Sequence, residues 1–146
     1  MRLLVTGREG QVAHALLGLR MPDLTVVALG RPELDLTRLA SIREAIVRHA
    51  PDVLVNAAAY TAVDKAESDE DAAFAVNGAG AGHAAAAAAE AGLPIIHIST
   101  DYVFDGAKSS PYLESDPTGP QGAYGRSKLE GERLVAQRNP RHAILR

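Results

Sequence analysis

The feature that most constrains this chain is an alternation. Short apolar runs at Leu3-Leu4-Val5, Leu24 to Leu29, Val53-Leu54-Val55 and Ile95 to Ile98 are separated by longer stretches with helical spacing. The first and third runs are brief and continuously apolar, as expected of strands buried on both faces. Between them, Val12, Leu16 and Leu19 recur at helical intervals. Leu39, Ile42 and Ile46 do the same, behind a Thr37 suited to cap the helix, and Pro51-Asp52 ends that segment. A third helix is predicted from Ser68. Its acidic opening, Asp69-Glu70-Asp71, suits the positive end of a helix dipole and reads as a solvated first turn. It runs through Ala84 to Ala89, with Asn77-Gly78 as a point of interruption, and stops at Gly92 and Pro94. A fourth helix spans about 123–137, and a last strand starts at His142-Ala143-Ile144-Leu145. The order β-α-β-α-β-α-β-α-β predicts an α/β fold: a doubly wound, Rossmann-like parallel sheet with helices on both faces.

Composition removes several function classes. The 146 residues suit one domain, and a net charge of −3 lacks the basic face of a nucleic-acid or membrane-surface binder. With no cysteine there is no disulfide, thiol nucleophile or Cys-ligated zinc. His14, His49, His83, His97 and His142 show no ligand spacing, so no metal site is expected, and His97 reads as packed or hydrogen-bonded core. No apolar run reaches a membrane span of about 18 residues, and the start is too short for a signal peptide, which makes the cytoplasm the default location. Arg146 follows directly on the last apolar run without a closing helix, so the chain reads as the first part of a longer polypeptide.

Four motifs follow strand ends. Gly7-Arg8-Glu9-Gly10-Gln11-Val12-Ala13 joins the first strand to the first helix. There Gly7 permits a tight turn, Gly10 lets backbone approach a pyrophosphate, and Ala13 keeps the helix near the strand. An ordinary strand-to-helix turn is the bland reading. Asn56-Ala57-Ala58-Ala59-Tyr60-Thr61 sets small residues at the end of the third strand, for flat docking of a ligand or simply for close packing. Ser99-Thr100-Asp101 offers a hydroxyl for a carbonyl oxygen, or else a cap on the loop that follows. Tyr124 and Lys128 lie four apart and share a helix face. An ammonium there would lower the phenol pKa from about 10 toward the working range; a solvated helix face is the alternative.

Taken together in this order, the motifs resemble the extended short-chain dehydrogenase/reductases, and within them the dTDP-4-dehydrorhamnose reductase family. The matching stretches are GREGQV from Gly7, DVLVNAAAYTAVDKAE from Asp52, STDYVFDG from Ser99 and YGRSKLEGE from Tyr124. The middle two are specific to the subfamily. The resemblance implies an oxidoreductase in which NADPH, or NADH, reduces the C4 ketone of a dTDP-linked 4-keto sugar. It makes residues 1–146 an NAD(P)-binding domain without the C-terminal portion that completes the substrate site. It casts Thr100, Tyr124 and Lys128 as catalytic, with Thr100 and Asp101 touching the sugar. Gly7, Gly10, Gln11 and Val12 match the pyrophosphate loop, Asp35 and Leu36 the adenine contact, and Ala59, Tyr60 and Thr61 the cofactor lining; Tyr124 and Lys128 also meet the cofactor. Asp64, Lys65 and Glu67 match a helix-start pattern and read as structural. In some relatives a homodimer contact and a magnesium site lie beyond the position of Arg146.

Two details refine this. The second strand ends at Gly30-Arg31 with no acid for a ribose 2′-hydroxyl, and Arg31 could meet a 2′-phosphate instead, predicting a preference for NADPH. A solvated turn arginine is the other reading. Thr100-Asp101 is followed by Tyr102 where the resembling 4,6-dehydratases carry a glutamate base, which favours ketone reduction over dehydration. A related 4-ketosugar-nucleotide reductase remains an alternative. So does a non-catalytic NADP-binding subunit like the β subunit of methionine adenosyltransferase.

Overall fold

A computed structural model describes residues 1–146. In chain order the elements are β1 (Arg2–Thr6), α1 (Gln11–Gly18), β2 (Thr25–Leu29), α2 (Leu39–His49) and β3 (Val53–Asn56). Two short helices follow, α3 (Val63–Ala66) and α4 (Glu70–Ala73), then a π-helical segment (Phe74–Gly80) leading into α5 (Ala81–Glu90). The chain closes with β4 (Ile95–Ile98), a 3-10 turn (Asp101–Val103), α6 (Ala123–Arg138) and β5 (His142–Leu145).

The strands form one sheet in the order β2-β1-β3-β4-β5, every neighbouring pair parallel. After β2 the chain crosses back over β1 to form β3, so the loops leaving β1 and β3 diverge. Sheets of this kind bind ligands at the carboxyl ends of the strands where the order reverses in this way.

Alternate residues along each strand feed opposite faces. Leu4, Leu54 and Ile95 meet α2, α5 and Val135 of α6 on one side; Leu3, Val5 and Val55 meet Ala13 of α1 on the other. Ala81, Ala84, Ala85, Ala87 and Ala88 are all buried, so α5 lies close on the sheet despite the scarcity of large side chains. No helix is long and apolar enough to cross a membrane.

Local details differ from the sequence expectations. Thr37 does not cap α2: its hydroxyl and N–H both donate to the Asp35 carboxylate, at 2.8 and 2.9 Å, and the helix begins after Arg38. A charged acceptor two residues away outcompetes the helix end. The predicted helix from Ser68 starts at Glu70 and changes to π geometry across Asn77-Gly78. Its acidic start is not simply solvated, since Asp69 accepts from the Tyr60 hydroxyl and Glu70 pairs with Arg126.

Candidate active site

The β1–α1 loop is shaped by backbone crowding. Gly7 has φ +88, and a Cβ on it would lie 2.8 Å from the Ala58 Cα, so only glycine fits. The Gly10 N–H closes the turn on the Gly7 carbonyl at 2.9 Å, and α1 then begins with no side-chain cap. Its first amides are left facing the exposed Gln11–Val12 surface, an arrangement suited to an anion. Beside it, the Arg8 N–H bonds the last carbonyl of β2, at Leu29, and the Arg8 guanidinium pairs with Glu9 and Glu33. Arg31 is exposed just beyond β2, and its charge helps hold the Asp35 carboxyl below its usual range, behind the larger effect of the Thr37 hydrogen bonds. Leu36 turns its side chain into the core, which leaves Asp35 as the outward-facing group of that pair.

At the next strand end, hydrogen bonds lock the loop. The Ala58 N–H donates to Thr6 Oγ1 at 3.0 Å, and Thr6 Oγ1 donates to Asn56 Oδ1 at 2.7 Å. The Tyr60 N–H and carbonyl are both bound by Asn77, whose Nδ2 also donates to Ser127 Oγ at 3.0 Å. Asn77 thereby ties the loop after β3 to α6. Asn77 lies buried within the π-helical segment.

Tyr124, Thr100 and Lys128 come together where α6 meets the end of β4. Glu67 Oε1 accepts the Ala123 N–H at 2.7 Å and so fixes the start of α6. Gly125 lies against the backbone of the 3-10 turn, where a Cβ would stand 2.3 Å from the Tyr102 carbonyl. That approach sets the Tyr124 and Tyr102 rings edge to face at 5.7 Å, next to Thr100, whose hydroxyl donates to Asp101 Oδ1 at 3.2 Å. Thr100 also caps the turn by accepting the Tyr102 N–H at 3.2 Å, which is the capping role read for it in the sequence. Lys128 is 2 % exposed and donates to the Ile98 carbonyl at 2.6 Å. It is therefore not part of a solvated helix face. Burial lowers its pKa to about 8, against the opposing pull of Glu132. Asp101 and Tyr124 line a cleft of about 380 Å³ with Val63 and Tyr112, and Asp101 also borders a neighbouring one of about 700 Å³ that reaches Arg146.

A family model described as the RmlD substrate binding domain matches residues 1–146, the whole chain. The chain belongs to this family. A dTDP-4-dehydrorhamnose reductase of Sinorhizobium fredii is 57% identical over 146 residues, covering 100% of this chain and 49% of that protein. The structure of a dTDP-4-dehydrorhamnose reductase from Clostridium acetobutylicum superposes with a TM-score of 0.93 at 40% identity, over 99% of this chain and 52% of that one. That of the Bacillus anthracis reductase, in complex with NADP, gives 0.93 at 32% identity over 98% and 51%. The chain spans about half the length of the curated relatives it matches.

Within this family member, one electrostatic expectation needs correcting. The Lys128 ammonium does not lower the Tyr124 pKa. Burial pushes the phenol above its ordinary value; the Thr100 hydroxyl pulls it down, and Tyr102 and Asp101 push it up again. The physical reason is direction: the lysine head group is held on the Ile98 carbonyl beneath the strand end. Several residues that build the site went unread in the sequence. Glu67 reads as structural in the sequence, but the helix it holds, 56 residues away, does not show there. Glu132, buried, accepts from Ser99 Oγ at 2.5 Å and pairs with Arg146 at 2.7 Å. Only the Asn-Gly pair marked the place of Asn77.

Proposed function

We propose that this chain is the NAD(P)-binding domain of a dTDP-4-dehydrorhamnose reductase, which reduces the C4 ketone of dTDP-4-dehydro-L-rhamnose with NADPH. The observation that carries the reading is the placing of Tyr124 and Asp101 in one cleft beside Thr100 at the end of β4, with Lys128 buried one turn further along the same helix. The residues present fit a dinucleotide: Gly7 is crowded by backbone on one side, while a Cβ on Gly10 would meet only the Gly7 carbonyl, at 3.3 Å. Gly7, Gly10, Gln11 and Val12 would hold the pyrophosphate, and Asp35 and Leu36 the adenine end. Ala59, Tyr60 and Thr61 would line the cofactor, and Tyr124 and Lys128 would meet its nicotinamide ribose. Arg31, with no acid beside it at the end of β2, would receive a 2′-phosphate.

When bound, the nicotinamide supplies a hydride to the sugar carbon. Thr100 donates a hydrogen bond to the ketone oxygen and so stabilises charge as it develops there. Tyr124 delivers the proton that completes the alcohol, and Asp101 orients the sugar. Its phenol needs help to ionise, because burial opposes the phenolate. Lys128, held on the Ile98 carbonyl, would serve through the nicotinamide ribose.

Tyr124→Phe in the full-length enzyme tests the reading through NADPH oxidation with the keto-sugar nucleotide. Removing a general acid costs about 10²–10⁴-fold in kcat, and NADPH binding should persist. An unimpaired variant would overturn the assignment. A wild-type protein that binds NADPH without turnover would favour the non-catalytic subunit instead. Cofactor choice is tested by kcat/KM: wild type should favour NADPH, and Arg31→Ala should erase the preference by weakening NADPH alone.

A further inference from the structure

The turn that carries Arg31 also carries an acid. The Gly30 carbonyl closes it by accepting the Leu34 N–H at 3.0 Å, with Arg31, Pro32 and Glu33 between them. The glycine loop lies directly against this turn. The Gly7 and Arg8 N–H groups both donate to the Leu29 carbonyl, at 2.8 and 3.2 Å. A Cβ added to Gly30 would stand 3.5 Å from Arg8 Cβ, so the Arg8 side chain leaves its loop over the end of β2. Glu33 reaches back to it, with both carboxylate oxygens 3.4 Å from Arg8 Nη1. Glu9 takes another edge of the guanidinium, accepting from Nε at 3.0 Å.

The end of the second strand is where sheets of this kind meet the adenosine ribose. NADPH differs from NADH there by one phosphate monoester, a group that carries a charge of about −1.5 to −2 at neutral pH. Arg8 and Arg31 bring two positive charges to this strand end, and Glu9 and Glu33 two negative ones. Asp35, further along, is engaged by Thr37. The two glutamates are not equivalent. Glu9 is 82 % exposed, so water and salt screen its charge, and it leaves Nη1 alone. Glu33 occupies Nη1, part of the fork with which a guanidinium grips a phosphate. Its contact is long for a charge-assisted hydrogen bond, which usually spans about 2.7–2.9 Å. Glu33 therefore neutralises Arg8 without locking it in place.

We propose that Glu33 is a specificity-determining residue: it masks the Arg8 guanidinium, leaves Arg31 alone to favour a 2′-phosphate, and so sets how strongly the protein prefers NADPH over NADH. Arg8 is then a second cation held in reserve at the strand end. Toward NADH the same carboxylate matters little, because the 2′-hydroxyl brings no charge for Arg8 to meet. This deepens the reading of the glycine loop as a dinucleotide site and rests on it, but it needs neither the sugar nor turnover.

Isothermal titration calorimetry of the full-length protein with NADPH and with NADH tests it. Adenosine 2′,5′-bisphosphate and 5′-AMP serve as a second pair of probes that lack the nicotinamide. The proteins compared are wild type, Glu33→Gln, Arg8→Ala and the double variant. The Arg8 and Glu33 side chains are 42 % and 43 % exposed, so neither change opens the core. Glu33→Gln should tighten NADPH about tenfold, the worth of one hydrogen bond to a charged group, and leave NADH within about twofold. Arg8→Ala alone should weaken NADPH by less than about threefold, as for other exposed, already paired charges. In the Arg8→Ala background Glu33→Gln should also gain less than about threefold, because only the removal of an exposed charge remains. The bisphosphate should follow NADPH, and 5′-AMP should follow NADH. An equal gain in both backgrounds would overturn the masking. So would NADPH affinity left unchanged by Glu33→Gln, or an Arg8→Ala loss as large as that of Arg31→Ala. Failure to bind either dinucleotide would overturn this proposal and the cofactor site together. Affinities as expected without reductase turnover would count against the reductase reading alone.

Discussion

Replacing Gly125 with alanine sets two physical effects against each other. In a helix interior the exchange normally stabilises by about 0.5–1 kcal/mol, because alanine has less backbone freedom to lose. Gly125 lies in the first turn of α6, where the new Cβ would stand 2.3 Å from the Tyr102 carbonyl oxygen and 3.0 Å from Pro120 Cβ. Ordinary contact begins at 3.4 Å, and the closest atom is backbone, so α6 and the 3-10 turn must part by about 1 Å. Overpacking of that kind costs about 1–3 kcal/mol, which outweighs the helix gain and leaves a net loss of about 1–2 kcal/mol. The displacement also falls between Tyr124 and Thr100, and a misplacement of about 1 Å costs about 10²-fold in rate. Urea unfolding followed by circular dichroism measures the first effect and kcat with NADPH the second. Gly18→Ala in α1 is the control: nothing lies within 4 Å of its added Cβ, so it should gain about 0.5–1 kcal/mol. If Gly125→Ala gains stability as Gly18→Ala does, or keeps its full kcat, the close approach of α6 to the turn does not set the site geometry.

Asn77→Ala should destabilise by about 3 kcal/mol in urea, since it orphans the Tyr60 N–H and carbonyl and takes away the donor to the Ser127 hydroxyl. Amide exchange at Tyr60 should quicken more than exchange in β1. Glu132→Ala should cost about 3 kcal/mol by leaving Arg146 and Ser99 without their shared acceptor; a double-mutant cycle with Arg146→Ala should return a coupling of about 1–3 kcal/mol, and zero coupling would dismiss the pair. Acid stability should depend on His97. The unfolded chain takes up its proton near 6.5, whereas the folded protein holds the ring neutral down to about 3. Stability therefore falls as pH drops through that window. His97→Gln, with no group to titrate, should fall less steeply between the same limits, and parallel curves would contradict the assigned burial.

Local sequence patterns set the sheet, the order of its elements and which loops leave the carboxyl ends of its strands. These follow from local rules: continuous apolar runs make doubly buried strands, 3.6-residue spacing makes their helices, and right-handed crossovers order them. Gly7, Tyr124 and Lys128 were legible because each sits at a known offset from a strand or helix end. The tertiary structure alone decided what those residues experience. Whether Lys128 is solvated or buried, and whether it faces Tyr124 or the Ile98 carbonyl, depends on how α6 crosses β4, and no local pattern encodes that crossing. The same holds for Glu67 at the start of α6, for Asn77 between the loop after β3 and α6, and for the hydrogen bonds that join Thr6, Asn56 and His97. Apart from Asn77 and Tyr60, 17 residues apart, the partners lie 41–56 residues apart in sequence, and the contacts exist only once strand register and helix packing have brought them together. Hydrogen bonds and pKa values are set by the few ångströms around an atom, and in this fold those ångströms are filled by distant parts of the chain.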